Sequence, residues 1–328
     1  MINLTILPRY VSLILFAPHS DTSFFTTFVD QNIKTMIVID GKKVSAEIRD
    51  ELKQEVEERK AKGLKVPHLA AVLIGDNPAS KAYVGNKIKF CKEVGYRSTM
   101  VKRTADVTEE ELLAIIHDLN ENTDIDGYIV QLPLPRHIDE IKINLAINYK
   151  KDVDGFHPMN FGRMAEGMPC YLPATPYGIV ELLRRYNIDT CGKHCVVVGR
   201  SNIVGTPISI LLSRKGNPGD CTVTLTHSRT KDIEGEILRA DIIIAAIGIP
   251  KFIKANMVKP GAVIIDVGIN RVDDHESPKG SKLVGDVDFE SVSKKCLAIT
   301  PVPGGVGPMT VTALMLNTMK AAKNEIYK

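Results

Sequence analysis

The stretch Cys195–Pro207, CVVVGRSNIVGTP, decides the reading of the fold. A short apolar run enters a glycine and then a segment fit to begin a helix. This is the signature of a buried strand, a tight turn and a helix. A dinucleotide-binding turn of the form G-x-G-x-x-G would place glycine at 199, 201 and 204. Gly199 is present, Ser201 and Val204 stand in the other two places, and Gly205 comes one position late. Three readings are open at this point: a damaged nucleotide site, a plain strand–helix turn, and a site built for a different nucleotide.

Outward from this stretch the chain alternates. Strands are expected at 36–40, 68–75, 96–103 and 126–135, separated by helices at 43–63, 78–95, 108–122 and 139–148. Val44, Ile48, Leu52 and Val56 recur at i, i+4 in the first helix, and Gly63 closes it. Thr108 followed by Glu111 forms a capping-box pattern at the third. Residues 149–176, rich in Gly and Pro and without period, read as a long functional or inter-domain loop. The alternation then resumes, with helices at 176–186, 203–215 and 231–239 and strands at 194–198, 222–226, 241–246 and 262–266. Strands alternating with helices predict parallel sheets covered on both faces. The expected fold class is therefore α/β, two lobes with a cleft between them, and where the turn at Gly199 holds a dinucleotide the second lobe is a Rossmann-type NAD(P)-binding domain. The boundaries expected are 36–156 for the first lobe, completed by a closing helix at 309–328, and 157–308 for the second.

Bulk properties narrow the function. A chain of 328 residues with 44% apolar and 25% charged residues suits two ordinary globular domains. A net charge of +3 is too small to argue for nucleic acid or an anionic membrane, and the absence of Trp leaves no stacking platform for single strands. The six cysteines form no C-x-x-C pair and no metal-ligand spacing with His, and read as reduced thiols in a cytoplasmic compartment. No metal, nucleic acid or membrane is expected. Residues 1–35 read as a disordered extension before Met36, with a weak targeting segment as the alternative.

Several residues carry possible chemistry. The strand at 222–226 ends in His227, Ser228 and Arg229. An NAD site usually has a carboxylate there for the ribose 2′-hydroxyl, whereas Ser, Arg and His can accept a 2′-phosphate. Arg200 adds a planar guanidinium suited to phosphate. These features favour NADP, with an exposed arginine on a polar strand end as the plain alternative. Tyr83 and Lys87 lie one helical turn apart. A lysine in a partly dry pocket makes a general acid or base. Gln131 could hold such a lysine or satisfy the core. Asp152 and Asp154 precede Gly155 and could be Asx-turn residues. The segment TPVPGGVGPMT packs three prolines and three glycines into eleven residues, giving a wall that a flat ligand could approach closely, or a linker.

The motifs YVGNK, VQLPLP, KDVDGFHP, VVVGRSNIVGTP, DVGIN, GDVDF and TPVPGGVGPMT stand in this order from about residue 36 to the C-terminus. In this the chain resembles the bifunctional methylenetetrahydrofolate dehydrogenase/methenyltetrahydrofolate cyclohydrolase family. The resemblance implies that 5,10-methylene-tetrahydrofolate gives a hydride to NADP+, and that the methenyl cation formed is hydrolysed to 10-formyl-tetrahydrofolate. It also implies a homodimer. By the same resemblance Lys87 is the lysine of the hydrolytic step, Tyr83 lines the folate site, Gln131 tunes the lysine and Asp154 anchors the pterin. Val130 and Leu132 flank the substrate, and Pro303, Gly304, Gly305, Val306 and Gly307 form its wall. Gly199, Arg200, Ser201, Ser228 and Ile269 match cofactor contacts. Competing readings are a dehydrogenase without the hydrolytic step, a non-catalytic nucleotide-binding protein on the same fold, and another Rossmann oxidoreductase. The intact first-lobe set argues against the first two, and PGGVGPMT against the third.

Overall fold

The computed structural model describes residues 36–274 and 280–327, so the expectation for 1–35 lies outside the described residues. In chain order the first half holds β1 (Ile37–Val38), α1 (Gly41–Ala61), β2 (His68–Ile74), α2 (Pro78–Val94), β3 (Arg97–Arg103), α3 (Glu109–Glu121), β4 (Gly127–Val130), α4 (Glu140–Ala146) and α5 (Pro158–Ala165). The second holds α6 (Ala174–Arg185), β5 (His194–Val198), α7 (Gly205–Ser213), β6 (Thr222–Thr226), α8 (Ile233–Leu238), β7 (Ile242–Ala245) and β8 (Val263–Asp266). It ends with β9 (Asn270–Asp273), β10 (Ser281–Val284), α9 (Phe289–Val292), β11 (Ala298–Ile299) and α10 (Val306–Ala322).

Two parallel sheets organise these elements. The first lobe has three strands in the order β3-β2-β4. The second has six, β1-β11-β8-β7-β5-β6. Because strand side chains alternate, each sheet buries two faces. Leu69, Ala71 and Leu73 of β2 join Val44 and Ile48 of α1 and Val84 and Phe90 of α2. Their neighbours Ala70, Val72 and Ile74 meet Leu112 and Ile116 of α3 and Ile143 of α4. In the second sheet Val197 and Ile244 pack on Leu182 and Leu211, and Val196, Ile243 and Ile264 pack on Ile237 and Val292.

The expected amphipathic stripe of α1 is present, with Val44, Ile48, Leu52 and Val56 all buried. Each such burial contributes roughly 1.5–3 kcal/mol. The capping box also forms: Thr108 Oγ1 accepts from Glu111 N–H at 3.1 Å, and Glu111 Oε2 from Thr108 N–H at 2.9 Å.

Several elements differ from expectation. The strand at 37–38 joins the six-stranded sheet beside β11 instead of the first-lobe sheet. The 149–176 segment contains α5, started by His157, whose Nδ1 accepts from Met159 N–H at 3.0 Å, with Pro158 at the first helical position. The hairpin of β9 and β10, α9 and β11 are too short for periodicity to reveal.

Helix α10 is the join. It packs against α6 on one side and α1 and α2 on the other. Ser45 and Thr312 hydroxyls meet at 2.7 Å, and Tyr96 OH donates to Met315 O at 3.1 Å. Asn317, fully buried, donates from Nδ2 to Val153 O at 2.9 Å and Leu172 O at 2.8 Å. It thereby fixes the chain on both sides of α5. Asn317→Ala would orphan both carbonyls, at roughly 1–3 kcal/mol for each. Urea unfolding should show a lower midpoint, and an unchanged midpoint would show that the loops hold themselves.

Candidate active site

The strand order reverses at β5, whose chain neighbours in the sheet are β6 on one side and β7 on the other. Ligands of open parallel sheets bind in the crevice at such a point, beyond the carboxyl ends of the strands. The turn after β5 is built there. Gly199 has φ of +114°, and a Cβ on it would stand 2.2 Å from Ala246 O. A Cβ on Gly205 would stand 1.9 Å from Gly199 O. Gly205 therefore does the work of close strand–helix approach that the G-x-G-x-x-G pattern assigns one position earlier. Ser201 Oγ accepts from Val204 N–H at 3.2 Å and Gly205 N–H at 3.4 Å. The serine substitutes for glycine by closing the turn through its hydroxyl at the N-terminus of α7.

Arg200 and Ser201 are exposed, as are Ser228 and Arg229 beyond the end of β6. Val198 pairs with Thr226, so the two turns leave adjacent strand ends side by side. In the second turn His227 N–H donates to Thr230 Oγ1 at 3.0 Å, and Arg229 N–H to His227 Nδ1 at 3.1 Å. The turn from His227 to Thr230 has no carboxylate. The residues present thus fit a dinucleotide carrying a 2′-phosphate: a tight turn into a helix N-terminus, with exposed Arg200, Ser201, Ser228 and Arg229 beside it.

The first lobe brings its own groups. Lys87 of α2 is 8% exposed, and its Nζ donates to Gln131 Oε1 at 3.2 Å. Gln131 Nε2 donates to Leu132 O at 2.7 Å, which orients the amide. A buried ammonium has three donors and here one side-chain partner, and that partner is neutral. Tyr83 lies one turn earlier on α2 and is half exposed. Val130 and Leu132 alternate with Gln131 and project to the other side of the strand end. There they line a cavity of about 590 Å³ together with Asp154, Phe156 and, from the β5 turn, Asn202 and Ile203. This cavity bridges the two lobes. Pro303, Gly304, Gly305, Val306 and Gly307 line a separate space of about 160 Å³ with Ile269 and Lys42. The expected site residues therefore fall into four groups: the Lys87–Gln131 pair with Tyr83 on the same helix, the inter-lobe cavity, the glycine-rich wall with Ile269, and the turns after β5 and β6.

The two aspartates of KDVDGFHP divide their roles. Asp152 is buried, its Oδ1 accepting from Gly155 and Phe156 N–H, and its Oδ2 from His157 N–H and Asn160 Nδ2. Burial pushes its carboxyl up to about 7 against these donors. It is the architectural residue. Asp154 is half-buried and lines the inter-lobe cavity.

The catalytic-domain model of the tetrahydrofolate dehydrogenase/cyclohydrolase family matches residues 39–154, and its NAD(P)-binding-domain model matches residues 173–326. The chain belongs to this family. Its two α/β lobes are the family's catalytic and NAD(P)-binding domains, and its activity is that of the bifunctional dehydrogenase and cyclohydrolase. Bifunctional protein FolD of Flavobacterium johnsoniae is 62% identical over 288 residues, covering 88% of this chain and 98% of the relative. FolD of Bacteroides fragilis is 57% identical over 293 residues, covering 89% of this chain and all of the relative. Among solved structures, the bifunctional enzyme FolD from Campylobacter jejuni superposes with a TM-score of 0.83 at 47% identity, over 88% of this chain and 99% of that one. FolD of Trypanosoma brucei, solved with NADP and an inhibitor, gives 0.82 at 38% identity, over 89% and 99%.

Sequence reasoning missed several residues the geometry brings forward. Asn202 and Ile203 line the inter-lobe cavity, and Lys42 N–H donates to Gly304 O at 3.0 Å from the start of α1. The signal for Asn202 and Ile203 was their place inside the turn. For Lys42, 262 residues before Gly304, no local signal exists. Gly205→Ala tests the turn. Overpacking of this kind costs about 1–3 kcal/mol. Urea unfolding should report that loss, and a wild-type midpoint would show that the turn yields without penalty.

Proposed function

We propose that this chain oxidises 5,10-methylene-tetrahydrofolate to the 5,10-methenyl cation with NADP+ and hydrolyses that cation to 10-formyl-tetrahydrofolate, using the residues grouped above. Lys87, Tyr83, Gln131 and Asp154 serve the folate, with Val130, Leu132 and Pro303–Gly307 around it. Gly199, Arg200, Ser201, Ser228 and Ile269 serve the cofactor. Residues 36–156 act as the folate-binding unit together with the closing helix, and 157–308 as the cofactor unit. The observation that carries the reading is the buried Lys87 ammonium with a neutral amide as its side-chain partner.

The chemistry follows from charge. NADP+, when bound, supplies the hydride acceptor, and the chain's part is to hold two flat rings in register. The methenyl product is a cation and an electrophile. Lys87 Nζ, held by the neutral Gln131 amide at 3.2 Å, is the group placed to move a proton to and from the attacking water. The Asp154 carboxyl, opening on the inter-lobe cavity, suits the pterin's N–H donors. The absence of an acid from the His227–Thr230 turn, with Arg200 and Arg229 exposed nearby in sequence and fold, supports NADP over NAD.

The protein is further proposed to work in the cytoplasm as a homodimer on tetrahydrofolate derivatives. Five of its six cysteines are buried free thiols, in keeping with a reducing compartment. Sedimentation would report the dimer.

Two variants test the assignment. Lys87→Met should lose cyclohydrolase activity by at least about 100-fold, the scale of general acid–base catalysis, while NADP+ still binds. Continued hydrolysis of methenyl-tetrahydrofolate at the wild-type rate would remove the lysine from the mechanism. Arg200→Ala should raise KM for NADP+ by about tenfold, as loss of one charge-assisted phosphate contact implies, with little change for NAD+. Equal effects on the two cofactors would show that Arg200 does not read the 2′-phosphate.

A further inference from the structure

We propose that Asp286 is a positioning residue for the dehydrogenase step, clipping together the two second-lobe loops between which the cofactor's reactive end is held. The proposal rests on the reading above that the cofactor lies on the turn after β5. Asp286 sits at the start of the segment after β10 and is fully buried. Its carboxylate is buried and engaged with donors of the two loops, so the part it plays runs through what it holds.

Its Oδ2 accepts from the N–H groups of Ile247 at 2.7 Å and Gly248 at 3.0 Å, in the loop after β7. Its Oδ1 accepts from Asn270 Nδ2 at 2.9 Å, next to Ile269 in the loop after β8. Both loops face the candidate site. A Cβ on Gly199 would meet Ala246 O at 2.2 Å and Ile247 Cγ2 at 3.3 Å, so the first loop is the wall of the nucleotide turn. Ile269 is half exposed, and a Cβ on Gly307 would stand 3.6 Å from its Cδ1, so the second loop meets the glycine-rich wall. One carboxylate therefore sets the spacing between the wall behind the turn and the wall facing the folate.

A second buried carboxylate holds Asp286 in place. Asp266, at the end of β8, accepts on Oδ1 from Asp286 N–H at 2.9 Å and Gly268 N–H at 3.0 Å, and on Oδ2 from Val287 N–H at 2.9 Å. Space is as tight as the hydrogen bonding. A Cβ on Gly268 would stand 2.3 Å from Asp286 Oδ1. An amide at 286 is not equivalent, because the site supplies donors to both oxygens and an NH2 group would face one of them. Nothing in this arrangement touches Lys87 or Gln131, which belong to α2 and the end of β4. A positioning role thus predicts a split between the two activities, whereas a general structural role predicts their common loss.

The test uses the full chain and two variants, Asp286→Asn and Asn270→Ala. Dehydrogenase kinetics are measured against NADP+ at saturating methylene-tetrahydrofolate. Cyclohydrolase kinetics are measured with methenyl-tetrahydrofolate supplied directly. For Asp286→Asn, kcat/KM for NADP+ should fall by roughly 10–100-fold, the scale of a misplaced reacting pair. Asn270→Ala should lower it in the same direction by less. Cyclohydrolase kcat, read at saturating methenyl-tetrahydrofolate, should stay within about twofold in both, since the Lys87–Gln131 pair shares no hydrogen bond with the clip. Parallel loss of the two activities, or no loss of either, overturns the proposal. If Asp286→Asn does not fold, as judged by circular dichroism, Asn270→Ala decides alone: wild-type kcat/KM for NADP+ in that variant overturns the proposal. A wild-type chain that does not reduce NADP+ would instead refute the proposed function, an outcome distinct from these.

Discussion

The carbonyl oxygen of Gly199 lies where a side chain on Gly205 would have to be, 1.9 Å from that absent Cβ. This contact lets α7 begin directly against the end of β5. It turns the helix N-terminus toward the crevice where the strand order reverses, and it brings the Arg200–Val204 segment to the mouth of the inter-lobe cavity. The pattern of glycines differs from the common dinucleotide turn, yet the two physical demands, a left-handed residue after the strand and a close approach at the helix start, are both met. Ser201 closes the turn with its hydroxyl, which accepts from Val204 and Gly205 N–H.

A second regularity runs through the charged groups. Three buried carboxylates hold the loops around the cleft, and each is surrounded by donors. Asp152 accepts from four groups, Asp286 from three, and Asp266 from three. Satisfied acceptors of this kind fix loop geometry, because leaving any donor unpaired in a dry interior is costly. Burial raises the Asp266 carboxyl to about 6, with the neighbouring Asp286 charge acting in the same direction against the backbone donors. Lys87 is the contrast. It is nearly as buried, and one neutral amide is its side-chain partner. Groups with full partners build the frame, and the group with few faces the chemistry.

Much of this was legible in the residues. The i, i+4 stripe of α1, the Thr108–Glu111 cap and the apolar runs of β2 and β5 are local patterns, and local patterns survive folding when tertiary packing agrees with them. For Gln131 the residues leave two readings, a partner for the lysine or a core amide, and the resemblance favours the first; 44 residues and three elements separate it from Lys87. Helix α5 was overlooked because its eight residues offer too short a window for periodicity, although His157 and Pro158 mark its start. The strand at 37–38 reads correctly as a strand, but its partner β11 lies some 260 residues away, and nothing at either site names the other.

The sequence by itself determined the class of elements, their order, and the residue types at the turn and on α2, because these depend on spacing along one chain. It also determined, through the order of its motifs, the family. Only the tertiary structure decided which lobe owns β1, which of Asp152 and Asp154 is spent on the frame, and how Asp286 joins loops from three parts of the second domain. Those outcomes depend on which distant groups meet in a space from which water is excluded, where each donor must find its acceptor and each missing Cβ must leave room for a particular carbonyl.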